Sequence, residues 1–291
     1  MEPIVVEVVR GEVVEARHCA DAVAVSDGKI VAIAGEPSLV AYLRSSAKPL
    51  QALPLVRARP DLEDAEIAIA CASHLARPEQ VAPVRSLLAK APASEEELEC
   101  GAEPTPIEQN CSGKHAGMLA LCRAQGWESD GYRLPAHPCQ QAMLQEVAAA
   151  ADVEAGSIPI AVDGCGVSTF ALTLERMAHA FARLPELDGG PAVMQAMRAY
   201  PDLIRGPGAA DTELMRSHPG WAAKGGAEAL VCAVSPDGLG VALKIEDGSV
   251  RAVRSALAAF LGRLDLDPGE LADDPVRNSR GETVGEIRPV R

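Results

Sequence analysis

Of the 27 lysine and arginine residues in this 291-residue chain only six are lysine. Four of these, Lys48, Lys114, Lys224 and Lys244, lie in segments dense in serine, cysteine and glycine. Arginine keeps its proton inside a protein, whereas a desolvated lysine can become a neutral base or ligand. With 21 arginines available for positive charge, lysine at these places points to proton transfer or coordination, and so to an enzyme.

Five constellations carry that chemistry. Arg44-Ser45-Ser46-Ala47-Lys48 contains Ser-x-x-Lys. On a helix, residues three apart share a face, so the Lys48 amine can reach the Ser45 hydroxyl and make it a nucleophile without histidine. The same spacing occurs in serine β-lactamases and penicillin-binding proteins. Cys71-Ala72-Ser73-His74 closes an apolar run, where sheet proteins expose reactive groups. Asn110-Cys111-Ser112-Gly113-Lys114-His115-Ala116-Gly117 leads into an apolar helical run. It fails as a phosphate loop, because Glu108 occupies the early glycine position and His115 the magnesium-binding Ser/Thr position. It leaves a thiol, an amine and an imidazole at a helix N-terminus, which favours the thiolate. Asp163-Gly164-Cys165-Gly166 lets the backbone approach a neighbour closely. Cys111 and Cys165 could together hold zinc with Asp163 orienting them, although the usual repeated pair of close cysteines is absent. The last is Lys224-Gly225-Gly226-Ala227-Glu228, then Cys232 and an apolar strand reaching Lys244.

The elements that position these residues are legible from periodicity. Residues 4–9, 22–25 and 30–34 read as strands, with Asp27-Gly28 turning the chain between the last two. Residues 67–73 have the composition of a buried strand. Further strands are expected at 158–162, 229–234, 239–245 and 249–253. Helices are expected at 49–57, with Pro54 kinking or ending the segment, and at 78–90, 114–125, 138–152, 191–199 and 253–263. Strands at both ends and helices between them predict an α+β fold, mainly antiparallel sheet with helices. No linker or repeat divides residues 1–291, so one domain is expected, with a helical subregion around 75–150.

A formal charge of −14 argues against nucleic acid as a partner. No run approaches the length of a membrane helix, so no membrane partner is expected. The N-terminus lacks the layout of a signal peptide, which predicts a cytoplasmic protein with reduced cysteines.

Taken in order, RSSAKPLQALPLV, CASH, NCSGKHAGML, DGCGVSTFAL and KGGAEALVCA…GLGVALKIEDG resemble the bacterial Rhizobium-type (class 3) L-asparaginases, and VVEARH near the start and NSRGETVGEIR near the end fit the same pattern. The resemblance implies a serine-dependent L-asparagine amidohydrolase on a fold similar to serine β-lactamases and glutaminases, assembled as a homodimer. Carried onto matching positions, it makes Ser45 the nucleophile and Lys48 its base, with Ser73 and Lys244 as a second pair. It implies zinc held by Cys111, Lys114 and Cys165, and substrate contacts from Arg44, His115, Asp163 and Cys232. The chain departs from the family pattern at three places: Gln80 stands where a second histidine is common, Cys100–Pro106 replaces a CGxHxP run, and Ala209 stands where an arginine is frequent. These departures bear on the substrate more than on the fold. An amidase of the same mechanism acting on glutamine or a β-aspartyl amide is the nearest alternative. A thiol hydrolase using Cys111, or a silent relative binding an amino acid or zinc, is more distant.

Overall fold

The structure, a computed structural model, describes residues 1–290. Eleven strands are formed among them: β1 (Ile4–Arg10), β2 (Val13–Ser26), β3 (Lys29–Ala34), β4 (Val40–Tyr42), β5 (Ile160–Val162), β6 (Ser168–Thr173), β7 (Ala222–Gly226), β8 (Leu230–Val234), β9 (Gly240–Ile245), β10 (Pro275–Arg277) and β11 (Thr283–Pro289). The main sheet runs β10-β11-β1-β2-β9-β8-β7, with β3 also paired to β2, and β4-β6-β5 form a small second sheet. Every pairing is antiparallel. The fold is α+β, as the distribution of strand and helix patterns predicts.

The helices are α1 (Lys48–Gln51), α2 (Leu53–Ala58), α3 (Asp64–Ala70), α4 (Pro78–Lys90), α5 (Ser112–Gln125), α6 (Pro138–Ala151), α7 (Leu174–Arg183), α8 (Gly190–Ala199), α9 (Pro201–Ile204), α10 (Ala210–Ser217) and α11 (Val253–Arg263). The segment 49–57 breaks at Ala52, and Pro54 falls in the first turn of α2, where its missing N–H costs nothing. Asp27 and Gly28, both with positive φ, turn β2 into β3 with Ser26 opposite Lys29. The second half of β2 is buried, and α7 lies across β2, β8 and β9. One apolar core joins residues from β1 through to Leu271. No helix among the described residues is long and apolar enough to cross a membrane.

Two segments differ from their sequence reading. Residues 67–73 are not a strand: Ile67, Ala68 and Ile69 lie in α3, which packs against α4, α5 and α8. Residues 67–70 of this helix are apolar and buried, and a run of that length has no readable period. Its start is set by Glu63, whose amide donates to Glu66 Oε2 at 2.8 Å while its side chain accepts in return. Residues 249–253 are not a strand either. Asp247 Oδ1 accepts from the Ser249 amide at 2.9 Å, turning the chain directly into a 3-10 turn (Val250–Ala252) and α11.

The edge strand β7 lies against the 3-10 turn Arg44–Ala47. A Cβ on Gly226 would stand 2.8 Å from Leu43 O and 2.9 Å from Ser46 Oγ, so only glycine lets strand and turn approach this closely. Gly226→Ala is expected to destabilise the fold by about 1–3 kcal/mol through overpacking, measured by urea unfolding. Gly156→Ala, where an added methyl meets nothing within 4 Å, is the matched control.

Candidate active site

A cavity of about 590 Å³ opens where β7, the Arg44–Ala47 turn, the end of α3 and the Asp163–Cys165 loop meet, and Ser45, Ser73, Cys111, Asp163, Cys165 and Asp211 are among its lining residues. The Ser45 turn is tied to the small sheet, the Leu43 amide donating to Phe170 O at 2.9 Å and the Arg44 amide to Thr169 Oγ1 at 3.1 Å. Arg44 holds a left-handed backbone (φ 48°), a strained conformation of the kind that collects at functional sites. Its guanidinium pairs with Asp163 Oδ1 at 2.6 Å.

Lys48 begins α1 and is 0% exposed. Its amine points away from solvent to the end of α3 and the start of α5. It donates to Ala72 O and lies 3.0 Å from Ser73 Oγ and 3.2 Å from Cys111 Sγ. Burial pulls its pKa down, with the Lys114 charge acting in the same sense against the opposing pull of Cys111. Lys48 thus meets Ser73, and among the described residues Ser45 Oγ makes no hydrogen bond. The direct Ser45–Lys48 contact expected from the spacing is not formed, because Ser45 sits in a 3-10 turn ahead of a helix of only four residues.

Ser73 is fixed by its amide, which donates to Ile204 O at 2.8 Å, and by the residue after it. His74 Nε2 lies 2.8 Å from Ser112 Oγ, and Nδ1 accepts from the Ala76 amide at 3.1 Å. Burial and the nearby Lys48 charge lower the His74 pKa to about 4, so it is a neutral brace between the loop after α3 and the first residue of α5.

The expected Ser73–Lys244 pair is absent. The Lys244 amine donates to Ile245 O, and Glu228, Asp247 and Asp21 face it. Lys224 takes the place by the cavity. It is 0% exposed, donates to Gly225 O at 2.7 Å and stands 3.5 Å from Asp211 Oδ2. Burial lowers its pKa to about 8 despite Asp211, and the Lys48 charge adds to the fall. Asp211 is held by the Thr212 and Gly225 amides at 2.9 and 2.8 Å. In strand register Lys224 faces Cys232, which faces Ala242, and Lys244 lies two residues beyond. Two strand spacings and two residue steps separate the lysines by about 12 Å. A signal for Lys224 lies in the sequence: Lys224-x-Gly226 has the form of the K-T-G that accompanies S-x-x-K in serine β-lactamases.

Cys111, Lys114 and Cys165 are brought together as expected. Lys114 Nζ lies 3.1 Å from Cys165 Sγ. The neighbouring Cys165 thiol, aided by Lys48 and Lys114, holds Cys111 well below the usual thiol range against burial, while Cys111 and burial push Cys165 up. Burial works against the Lys114 charge, but Cys165, Cys111 and Asp163 outweigh it and raise its pKa. No three His, Cys, Asp or Glu side chains among the described residues are grouped to hold a metal.

Two expected substrate contacts lie elsewhere. His115 is buried behind Lys114, one helical step round α5, with Nδ1 at 2.7 Å from the Tyr132 hydroxyl. Cys232 is buried on β8. Neither lines the cavity; Arg44 and Asp163 do.

The family model for L-asparaginase II matches residues 6–289. No curated protein sequence matches the chain. Among solved structures the chain is similar to a probable glutaminase from Bacillus subtilis complexed with 6-diazo-5-oxo-L-norleucine, at 13% identity and TM-score 0.43 over 85% of each chain. A penicillin-binding protein homologue from Pyrococcus abyssi is similar at 10% identity and TM-score 0.41, over 86% of this chain and 74% of that one. A β-lactamase from Mycobacterium bovis is similar at 15% identity and TM-score 0.37, over 85% of this chain and 95% of that one. These likenesses are distant, and the assignment rests on the family match, which spans nearly the whole sequence: the chain belongs to the L-asparaginase II family and is an amidohydrolase.

Proposed function

We propose that this protein hydrolyses the side-chain amide of L-asparagine to L-aspartate and ammonia, with Ser45 as nucleophile and Lys48 and Ser73 as its proton relay. The observation that carries the reading is the fully buried Lys48 amine, 3.0 Å from Ser73 Oγ beneath a cavity that Ser45 also lines. A neutral amine accepts a hydroxyl proton, and burial favours the neutral form. Ser45 Oγ attacks the amide carbon as its proton passes by way of Ser73 to Lys48. The same proton then goes to the departing nitrogen, which leaves as ammonia. Water cleaves the Ser45 ester, releasing aspartate and restoring the hydroxyl. Lys224, about half charged near pH 8, sets the field at the cavity edge.

Zinc and a homodimer belong to the same reading. Thiolate sulfurs suit zinc, and a zinc ion can replace the protons that Cys165 and Lys114 hold. Cys111, Lys114 and Cys165 would hold it, and it would supply positive charge beside the cavity. One observation favours a second reading. A cavity of about 590 Å³ falls within the range of about 300–1,000 Å³ typical of drug-sized ligands, which suits a larger amide of the β-aspartyl type.

Three measurements test this chemistry. Ser45→Ala is expected to abolish ammonia release from L-asparagine in a folded protein, and Lys48→Met to lower it by about 10²–10⁴-fold; activity retained in Ser45→Ala would refute the nucleophile. For Lys224 the folded pKa of about 8 lies below the ordinary 10.5, so between these values the unfolded chain binds more protons and stability rises with pH. Denaturant unfolding from about pH 8 to 10.5 should show that rise in wild type and its loss in Lys224→Met. Finally, zinc per chain should fall in Cys111→Ser and Cys165→Ser but not in Cys139→Ser, by elemental analysis of the purified proteins; equal zinc in all three would sink the ligand set.

A further inference from the structure

The cationic side chains on the cavity wall are all arginines: Arg44, Arg205, Arg251 and Arg254. Three are engaged. Arg44 is paired with Asp163, Arg251 donates to His18 Nε2 at 3.1 Å, and Arg254 donates to the carbonyls of Gly208, Glu270 and Asp273. Arg205 alone of the four has a guanidinium with neither a hydrogen bond nor an ion pair among the described residues. It is exposed at the cavity, in a protein of formal charge −14 with carboxylates in excess.

Its backbone, by contrast, is pinned. The buried Gln80 amide donates from Nε2 to both Asp202 O, at 2.9 Å, and Arg205 O, at 3.0 Å. Gln80 Oε1 in turn accepts from the Leu75 amide at 2.8 Å and the Arg77 amide at 3.3 Å. The next amide, Gly206, donates to Thr212 Oγ1 at 3.2 Å. Gln80 uses both amide protons and both lone pairs of its oxygen to join the loop after Ser73 to the turn bearing Arg205. One imidazole could not make all four bonds. Ala209 lines the same cavity and contributes only a methyl side chain to it.

We propose that Arg205 binds the carboxylate of the substrate that the amide group leaves free, and that Gln80 is its positioning residue. Guanidinium recognises carboxylate through paired charge-assisted hydrogen bonds, and a fixed Cα with an unengaged side chain is the arrangement such a contact requires. The substrate class is therefore an amide that also carries a free carboxylate, which includes α-amino acids with a side-chain amide and β-aspartyl compounds and excludes simple neutral amides. The proposal rests on the amidohydrolase reading above for the identity of the reacting group, not for the carboxylate contact.

The test compares L-asparagine with L-asparaginamide, which lacks the carboxylate, in wild type, Arg205→Ala, Arg205→Lys and Gln80→Ala. Arg205→Ala is expected to raise KM for asparagine by about 10- to 100-fold with kcat little changed, as loss of a charged hydrogen bond predicts. It should leave KM for asparaginamide unchanged. Arg205→Lys should recover part of the loss, and Gln80→Ala should fall between. An equal loss on both substrates would assign Arg205 a merely structural role, and no loss on asparagine would remove it from the site; either overturns the proposal. If wild type releases no ammonia from either compound, the asparagine reading fails by itself. Calorimetric binding of L-aspartate then decides the carboxylate contact: binding that Arg205→Ala abolishes upholds it, and binding it leaves intact, or none in wild type, overturns it.

Discussion

The site depends on one buried amine. Lys48 carries no exposed surface, and its nitrogen meets a carbonyl, a hydroxyl and a thiol drawn from the end of α3 and the start of α5. A charged amine buried without a carboxylate is costly, so the proton on Lys48 is held loosely and the thiol beside it gives up its own more readily. Two further buried amines, Lys114 and Lys224, raise the local positive potential, while Cys111, Asp163 and Asp211 offset it. The protonation of each group is conditional on the others. That interdependence is what separates this cluster from a set of ordinary surface ion pairs.

Close packing around the amine explains the surrounding architecture. Gly226 lets β7 touch the turn that carries Ser45, and on the other side a Cβ at Gly113 would lie 2.2 Å from Ile69 O, so α5 can sit against α3 only without one. Lys48, Ser73 and Cys111 are therefore brought within hydrogen-bond distance by backbone contacts between four elements. The neutral His74 brace between the loop after α3 and the first residue of α5 keeps Ser73 in place without titrating near neutral pH. The wall bearing Arg205 is attached to the same loop through Gln80, so cavity floor and cavity wall share one support.

Much of this was legible in the residues, unevenly. The paired strands around Asp27-Gly28 and the helices over 78–90, 114–125 and 138–152 follow from strong periodicity and clear turn chemistry. The short apolar run at 67–73 does not, because the buried end of so short a helix carries no polar residue to mark its period. In the site, Ser45, Ser73, Cys111, Lys114, Asp163 and Cys165 were recoverable from local motifs, and all but the buried Lys114 line the cavity. Lys244 and Lys224 were harder to tell apart. Both lie on strands of one sheet, and only the register through β8 sets one against Asp211 beside the cavity and the other among a cluster of carboxylates. His115 and Cys232 have the right chemistry but face the core, and one residue's step along a helix or one layer's depth beneath a sheet is enough to remove them.

By itself the sequence determined which chemical groups are available, that lysine rather than arginine stands in the serine-, cysteine- and glycine-rich segments, and that strands and helices divide into an α+β fold. Those properties depend on side-chain type and near-neighbour spacing, which the linear order contains. Tertiary structure decided the partners. Lys48 reaches Ser73 across 25 residues and Cys111 across 63, and Gln80 holds Arg205 across 125. Such contacts form because apolar faces pack in only one arrangement and buried polar groups must then find partners within it. Spacing along the chain carries no record of that choice.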